Sequence, residues 1–302
     1  MTDRARTSQA GTWISVIIPA LNEEATIAQV VAAVPKEIAH EVIVVDNGSS
    51  DDTADRAVRA GARVIREPRR GYGRACRAGV YAVDARCGII VFLDGDGSDC
   101  PELMGRLIQP ILEGEHDFVV GSRIRGTREP GSMEVAQVIA GRAAGLLLRF
   151  LYGVRYSDMC PLRAIRRDAL ERLGMREETY GWNLEMQMRA ARAGLRILEI
   201  PVDHRRRKGG TSKVSGTVRG TLMAGTGMLV TFARVALERT EDARGAWAAD
   251  PGGKKNRPAR RSQCAMPIDD VQKENGDNLE RAAPSQPSGI MTEGKIRARF
   301  RL

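Results

Sequence analysis

The sequence predicts an α/β fold in which a mostly parallel central sheet is flanked by helices. Three observations carry that expectation. Short apolar runs alternate with helically periodic segments from residue 13 to residue 121, and such alternation marks a parallel-rich sheet. Three of the runs stop abruptly in the polar clusters ALNEE, DNGSSDD and DGDGSD, as strands do on leaving a sheet. The chain has 302 residues and 42% hydrophobic content, which suffices for one large domain, or two small ones, with a real core.

The elements follow in order. Residues 13–19 (WISVIIP) read as a first strand, and Asn22 as the cap of a helix over 23–34 that Pro35 ends. Residues 41–45 (EVIVV) form a second strand, followed by a helix ending near residue 60. A short strand at 62–66 leads to a helix opened by Gly71 and Gly73. Residues 88–93 and 117–121 are the fourth and fifth strands. Residues 122–132 read as a loop with Gly126, Pro130, Gly131 and three arginines. Beyond it lie an amphipathic helix at 134–152, a helix at 182–193, a strand at 195–202, a basic glycine-containing loop at 204–213 and a helix at 214–239. Within the last, residues 222–237 are apolar but include Arg234, and a core helix is expected there rather than an interfacial one. No uninterrupted apolar run is long enough to cross a bilayer.

The predicted organisation is a flexible N-terminus (1–12), one domain (13–239) and a disordered basic tail (240–302). In the tail Pro, Gly, Ser and charges replace apolar periodicity. Its basic clusters at 254–261 and 295–301 suit a membrane or an acidic partner, although a solvated tail is the plainer reading.

Lys plus Arg number 47 against 38 Asp plus Glu, and the surplus favours anionic partners: nucleotide phosphates, lipid phosphates or a membrane surface. No nucleic-acid partner is expected, because aromatics are 4% and no recognition motif occurs. The cysteines are odd in number with no Cys-x-x-Cys pair, so neither disulfides nor a zinc site is expected. The polar stretch 1–11 shows no signal peptide. The expected location is cytoplasmic, with peripheral contact at the inner face of the membrane.

The most telling stretch is IIVFLDGDGSDCPE at 89–102. Asp94 and Asp96 stand where a buried strand leaves the sheet, the usual ligand position in open α/β folds. At i and i+2 on extended chain they point the same way. Adjacent carboxylates repel unless a cation neutralises them, and Mg²⁺ or Mn²⁺ held with substrate phosphates suits them. The plainer alternative is an acidic turn capping the helix that follows. The first strand ends in Pro19, Ala20, Leu21, Asn22 and Glu23, the second in Asp46 and Asn47. In a parallel sheet these loops share an edge with Asp94 and Asp96. Asp46 is able to accept hydrogen bonds from a base N–H or a ribose hydroxyl. Taken singly, each of these residues reads equally as a turn or a helix cap.

Together, IPALNEE, VVDNGSSDDT, FLDGDGSD and VGSR resemble the family 2 glycosyltransferases of the GT-A fold, whose central sheet is Rossmann-like. The likeness covers roughly residues 13–235. YSDMCPLRAIRRDAL, GWNLEMQMRAARAGLRILEIPV and RRRKGGTSKVSG resemble the branch of dolichyl-phosphate mannosyltransferases and polyprenyl-phosphate glycosyltransferases. The resemblance implies that Pro19, Ala20, Asn22, Glu23, Asp46, Asp94 and Ser212 bind the nucleotide sugar. It implies that Asp94 and Asp96 hold the metal, with Asp96 closer. Arg123 would contact a donor or acceptor phosphate, and Arg207 and Lys213 would close over the diphosphate. Asp158 would lie near the acceptor as a candidate base, with Glu185 close by or serving as a buried partner of an arginine. Two departures stand out: Gly97-Ser98 replaces the Leu-Gln usual in that branch, and the C-terminal transmembrane helices of its anchored members are missing.

The implied activity is metal-dependent, inverting transfer of a hexose from a UDP- or GDP-sugar to an acceptor, first of all a polyprenyl phosphate. Such a phosphate is already an anionic nucleophile. A hydroxyl acceptor, as in cell-envelope polysaccharide or glycolipid synthesis, would need a base, and Asp158 is the first choice. A nucleotidyltransferase acting on a sugar phosphate is the rival enzyme class. It would be expected to carry a glycine-rich basic loop after the first strand, where this chain reads PALNEEAT.

Overall fold

The computed structural model describes residues 11–133, 135–209 and 218–238. The expected tail, Ser212 and Lys213 lie outside the described residues. Strand β1 (Trp13–Ala20) is buried from Ile14 to its end. A strand apolar on both faces belongs at the centre of a covered parallel sheet. β1 pairs in parallel with β2 (Glu41–Asp46) on one side and β4 (Cys87–Phe92) on the other, and β3 (Arg63–Arg66) lies outside β2. The other half adds β5 (Phe118–Ser122), β6 (Arg163–Arg166) and β7 (Ile197–Pro201), completing a seven-stranded sheet of order β3-β2-β1-β4-β6-β5-β7.

β6 is a correction to the sequence reading, which places no strand there. It runs antiparallel to both β4 and β5 and joins the two halves of the sheet. Its sequence is RAIR, too short and too charged for an apolar run to announce it. Arg163 is nevertheless fully buried, donating to the backbone oxygens of Asn183 and Cys160.

Helices α1 (Ile27–Ala33), α2 (Thr53–Arg59), α3 (Tyr72–Ala82), α4 (Met104–Leu112) and α6 (Arg167–Leu173) flank the sheet. α3 lies close against β1: a Cβ on Gly79 would come 2.4 Å from Ile17 Cγ2. α5 (Val135–Tyr152), α7 (Trp182–Arg192) and α8 (Val218–Leu237) belong to the second half. α7 is nearly all core, with Trp182, Leu184, Met186 and Met188 buried. The four described cysteines are free and buried.

Two further expectations are corrected. Asn22 does not cap α1, which starts only at Ile27. It sits at φ 52°, a left-handed conformation that asparagine tolerates better than most residues. Its N–H donates to Ser49 Oγ at 3.0 Å and its Oδ1 accepts from the Ser50 N–H at 2.8 Å, so it ties two strand-end loops together. The expected core helix at 222–237 is half-exposed over residues 225–237: Thr231 and Val235 face inward, while Leu229, Val230 and Leu237 are open to solvent.

Candidate active site

Because β1, β2 and β4 are parallel and in register, their C-terminal ends open on one edge of the sheet. A cleft of 710 Å³ lies there. Pro19 and Ala20 line it at the end of β1 and Glu23 just beyond, with Asp94 and Asp96 after β4. Arg123, Asp158 and Arg207 come to it from the second half of the chain. Asp46 borders a separate hollow of 270 Å³ with Asp51 and Arg66, and Asn22 lines neither.

The acidic edge is held by short contacts. The Asp94 N–H donates to Asp99 Oδ2 at 2.9 Å, and the Tyr72 hydroxyl donates to Asp94 Oδ1 at 3.0 Å. Asp96 Oδ1 accepts from the N–H and the hydroxyl of Ser98, at 2.9 and 2.6 Å. Glu23 is fixed through its N–H on Thr53 Oγ1 at 2.8 Å, and Thr26 Oγ1 donates to the Gly95 carbonyl at 2.8 Å. The loops after β1, β2 and β4 thus form one hydrogen-bonded floor.

Burial first, then the charges of Asp99 and Asp96, pushes the Asp94 carboxyl well above its ordinary range. Asp99 is pushed up to about 6, again chiefly by burial. Neither of these two carboxyls therefore has enough neighbouring positive charge to offset its burial. Among the described residues no three His, Cys, Asp or Glu side chains form a complete metal cage. An all-oxygen donor pair still fits Mg²⁺ or Mn²⁺, which are commonly held by one or two carboxylates plus substrate phosphates.

The basic side comes from the segment after β7. The Arg205 N–H donates to the Ser98 carbonyl at 2.9 Å, stitching this segment to the β4 loop. The Arg206 N–H donates to Glu129 Oε2 at 2.7 Å, and the Arg205 guanidinium pairs with Glu102. Arg207 reaches furthest in. Its guanidinium bridges Asp96 Oδ2, at 3.1 Å, and Glu23 Oε1.

Arg123 and Asp158 form a closed pair. Both Asp158 oxygens receive the Arg123 guanidinium at 2.8 Å, and the N–H groups of Arg123 and Met159 add 2.9 and 2.7 Å bonds. Glu199 holds this turn by accepting from the N–H groups of Ser157 and Asp158. Burial alone would raise the Asp158 carboxyl, but the Arg123 contacts outweigh it and hold it below the usual carboxylate range. An acid stabilised in its ionised form and saturated with donors is a weak proton acceptor. The structure places Asp158 as the anchor that orients Arg123, not as a free base.

Glu185 is placed as a helix partner, away from the cleft lining. It is fully buried, pairs with Arg189 at 2.9 Å and accepts from the N–H groups of Arg176 and Glu177. Sequence reading missed Tyr72, Asp99 and His204. His204 is buried, lines the cleft and stands 3.9 Å from Asp99 Oδ1. Burial chiefly, with the Arg123 charge, lowers it to about 4. The third acid of DGDGSD was a readable signal for Asp99. Tyr72 and His204 reach the site through tertiary contacts alone.

The model of glycosyl transferase family 2 matches residues 15–174. An uncharacterized glycosyltransferase of Mycobacterium tuberculosis is 40% identical over 221 residues, covering 71% of this chain and 95% of that protein. The undecaprenyl-phosphate mannosyltransferase of Micrococcus luteus is 32% identical, over 68% of this chain and 89% of its own. Among solved structures, glucosyl-3-phosphoglycerate synthase from Mycobacterium tuberculosis, in complex with Mn²⁺, UDP and glucosyl-3-phosphoglycerate, aligns with a TM-score of 0.61 at 26% identity. That alignment covers 77% of this chain and 83% of that one. The architecture is that of the GT-A glycosyltransferases.

Proposed function

The chain belongs to glycosyl transferase family 2, and from that premise we propose that it moves a hexose, with inversion, from a UDP- or GDP-sugar to a polyprenyl phosphate. The observation that carries the reading is the two-sided cleft. Acidic Asp94 and Asp96 and basic Arg207 and Arg123 line one space reached from both halves of the sheet, with Arg207 resting on Asp96. Such a site matches a nucleoside diphosphate on one side and an anionic acceptor on the other. The relatives support it: one is an undecaprenyl-phosphate mannosyltransferase, another a polyprenol monophosphomannose synthase.

Asp96, with Asp94, would hold Mg²⁺ or Mn²⁺, which supplies Lewis-acid neutralisation of the leaving diphosphate. Glu23 and Pro19 would border the nucleotide, with Asp46 outside the main cleft on the base side. Arg207 would exchange Asp96 and Glu23 for diphosphate oxygens, placing fixed positive charge where negative charge develops. A phosphate oxygen of the acceptor attacks the anomeric carbon, the carbon–oxygen bond to the diphosphate breaks, and the electron pair leaves with the nucleotide. No proton moves, so no base is required. That agrees with the locked Arg123–Asp158 pair and weighs against a hydroxyl acceptor that relies on Asp158. Arg123, held by Asp158, would steady the incoming phosphate.

The test is incubation of the protein with UDP-, GDP- and dTDP-sugars, Mn²⁺ and a short-chain polyprenyl phosphate, with product read by mass spectrometry. Asp96→Asn keeps the side-chain shape but removes its charge. We expect turnover to vanish while the melting temperature changes little. Full activity in this variant, or in wild type treated with EDTA, would remove the metal-dependent reading.

A further inference from the structure

α5 turns most of its large apolar residues away from the core. A surface helix normally turns its large apolar residues to the core. Here the inward face buries Leu148 fully but is otherwise made largely of small residues: Gly141 and Gly145 are buried, and a Cβ on Gly145 would lie 1.9 Å from the Tyr156 carbonyl oxygen. The bulk points outward. Ile139, Leu146 and Phe150 are 62%, 68% and 86% exposed, and Val135 continues the same face at helical spacing. Arg142 and Arg149, also exposed, each follow an apolar member of that face by three residues. α5 contains no acidic residue. α8 repeats the theme with exposed Leu229, Val230 and Leu237 and likewise no acid.

The position of these helices matters as much as their composition. Gln137 and Ala140 of α5 and Met228 of α8 line the catalytic cleft. The helices with outward apolar residues therefore also wall the site. We infer that the outer face of α5, helped by the exposed apolar residues of α8, docks on an anionic lipid surface and sets the mouth of the cleft at the headgroup level. Among the described residues no helix is long and apolar enough to cross a membrane, so this is an interfacial contact. A second copy of the chain is the weaker occupant. A two-fold interface would bring the same patch against itself, setting Arg142 and Arg149 against like charges with no carboxylate on α5 to meet them. Anionic headgroups complement both features at once. The inference rests on the polyprenyl-phosphate reading for its purpose, since such an acceptor is delivered from a bilayer. The binding itself rests on the exposed face.

The experiment is co-sedimentation of the full chain with phosphatidylglycerol/phosphatidylcholine vesicles and with pure phosphatidylcholine vesicles. The comparison is the double variant Leu146→Ser, Phe150→Ser, neither residue lining the cleft. Wild type should sediment with the anionic vesicles and more weakly with the neutral ones. The double variant should partition roughly tenfold more weakly or worse. Its transfer to a water-soluble short-chain acceptor should equal wild type, which also shows that it folds. Equal vesicle binding by variant and wild type would overturn the inference, as would no binding by wild type. A wild-type dimer in light scattering that the variant reduces to monomer would assign the face to a second copy and equally overturn it. If vesicle binding behaves as expected while no polyprenyl phosphate accepts sugar, the acceptor reading fails and the docking surface stands.

Discussion

Asp99 and His204 face each other behind the acidic edge with opposite perturbations, and their titrations oppose one another. Asp99 is raised from its ordinary 3.8 to about 6. The native state therefore binds its proton more tightly, and the stability this gives is full below pH 3.8 and lost as pH rises through about 6. His204 is lowered from 6.5 to about 4, so its contribution is full above pH 6.5 and lost as pH falls through about 4. Between about pH 4 and pH 6 the slopes oppose. The Asp94 carboxyl, also raised well above its ordinary range, adds to the Asp99 slope, so wild type should lose melting temperature as pH rises through this window. Asp99→Asn should flatten that loss, by no more than about 3 kcal/mol, and His204→Gln should steepen it. Thermal melts at closely spaced pH values check this, and identical slopes in all three proteins would contradict it. Asp94 and Asp96 were legible because glycines interrupt an apolar run beside them. His204 was not, because its role comes from a contact with Asp99 made across the fold.

Glycines separate what an element owes to its own sequence from what it owes to its neighbours. Gly145 of α5 touches the Tyr156 backbone, whereas a Cβ on Gly227 of α8 would meet nothing within 4 Å. Gly145→Ala must push α5 off the turn that leads to Asp158, costing about 1–3 kcal/mol and activity with it. Gly227→Ala removes backbone freedom from the unfolded chain and should stabilise by about 0.5–1 kcal/mol. Denaturant unfolding of the two variants should give shifts of opposite sign. Both glycines lie in stretches that periodicity marked as helix, yet nothing in the sequence separates their roles. β6 makes the same point for strands. β1, β2 and β4 are apolar on both faces and were readable, while RAIR is a strand only because β4 and β5 supply partners on either side.

At the scale of the whole chain, the parallel edge that assembles the cleft was legible, because alternation of strand and helix fixes where the strand ends meet. The buried ionic network that fastens α8 was not, since its members are distant in sequence. Arg234 pairs with Glu177 at 2.9 Å and with buried Glu185 at 3.4 Å. Glu238 pairs with Arg189 at 2.7 Å and with Arg176 at 3.6 Å, while Arg192 donates to its carbonyl oxygen at 2.7 Å. This network sets a sharp limit for truncation. A chain ending at Thr240 keeps every one of these groups and loses only residues whose composition lacks the apolar content to join a core. It should remain soluble and active with a melting temperature close to that of the full chain. A chain ending at Phe232 loses Arg234 and Glu238 and leaves buried Glu177 and Arg189 short of partners. Stranding one side of a buried ion pair costs about 3–5 kcal/mol, enough to unfold a domain of ordinary stability. Circular dichroism melts and gel filtration of the two truncations decide the matter. Comparable stability would show that α8 is an appendage, and collapse of the longer one would move the domain boundary into the tail.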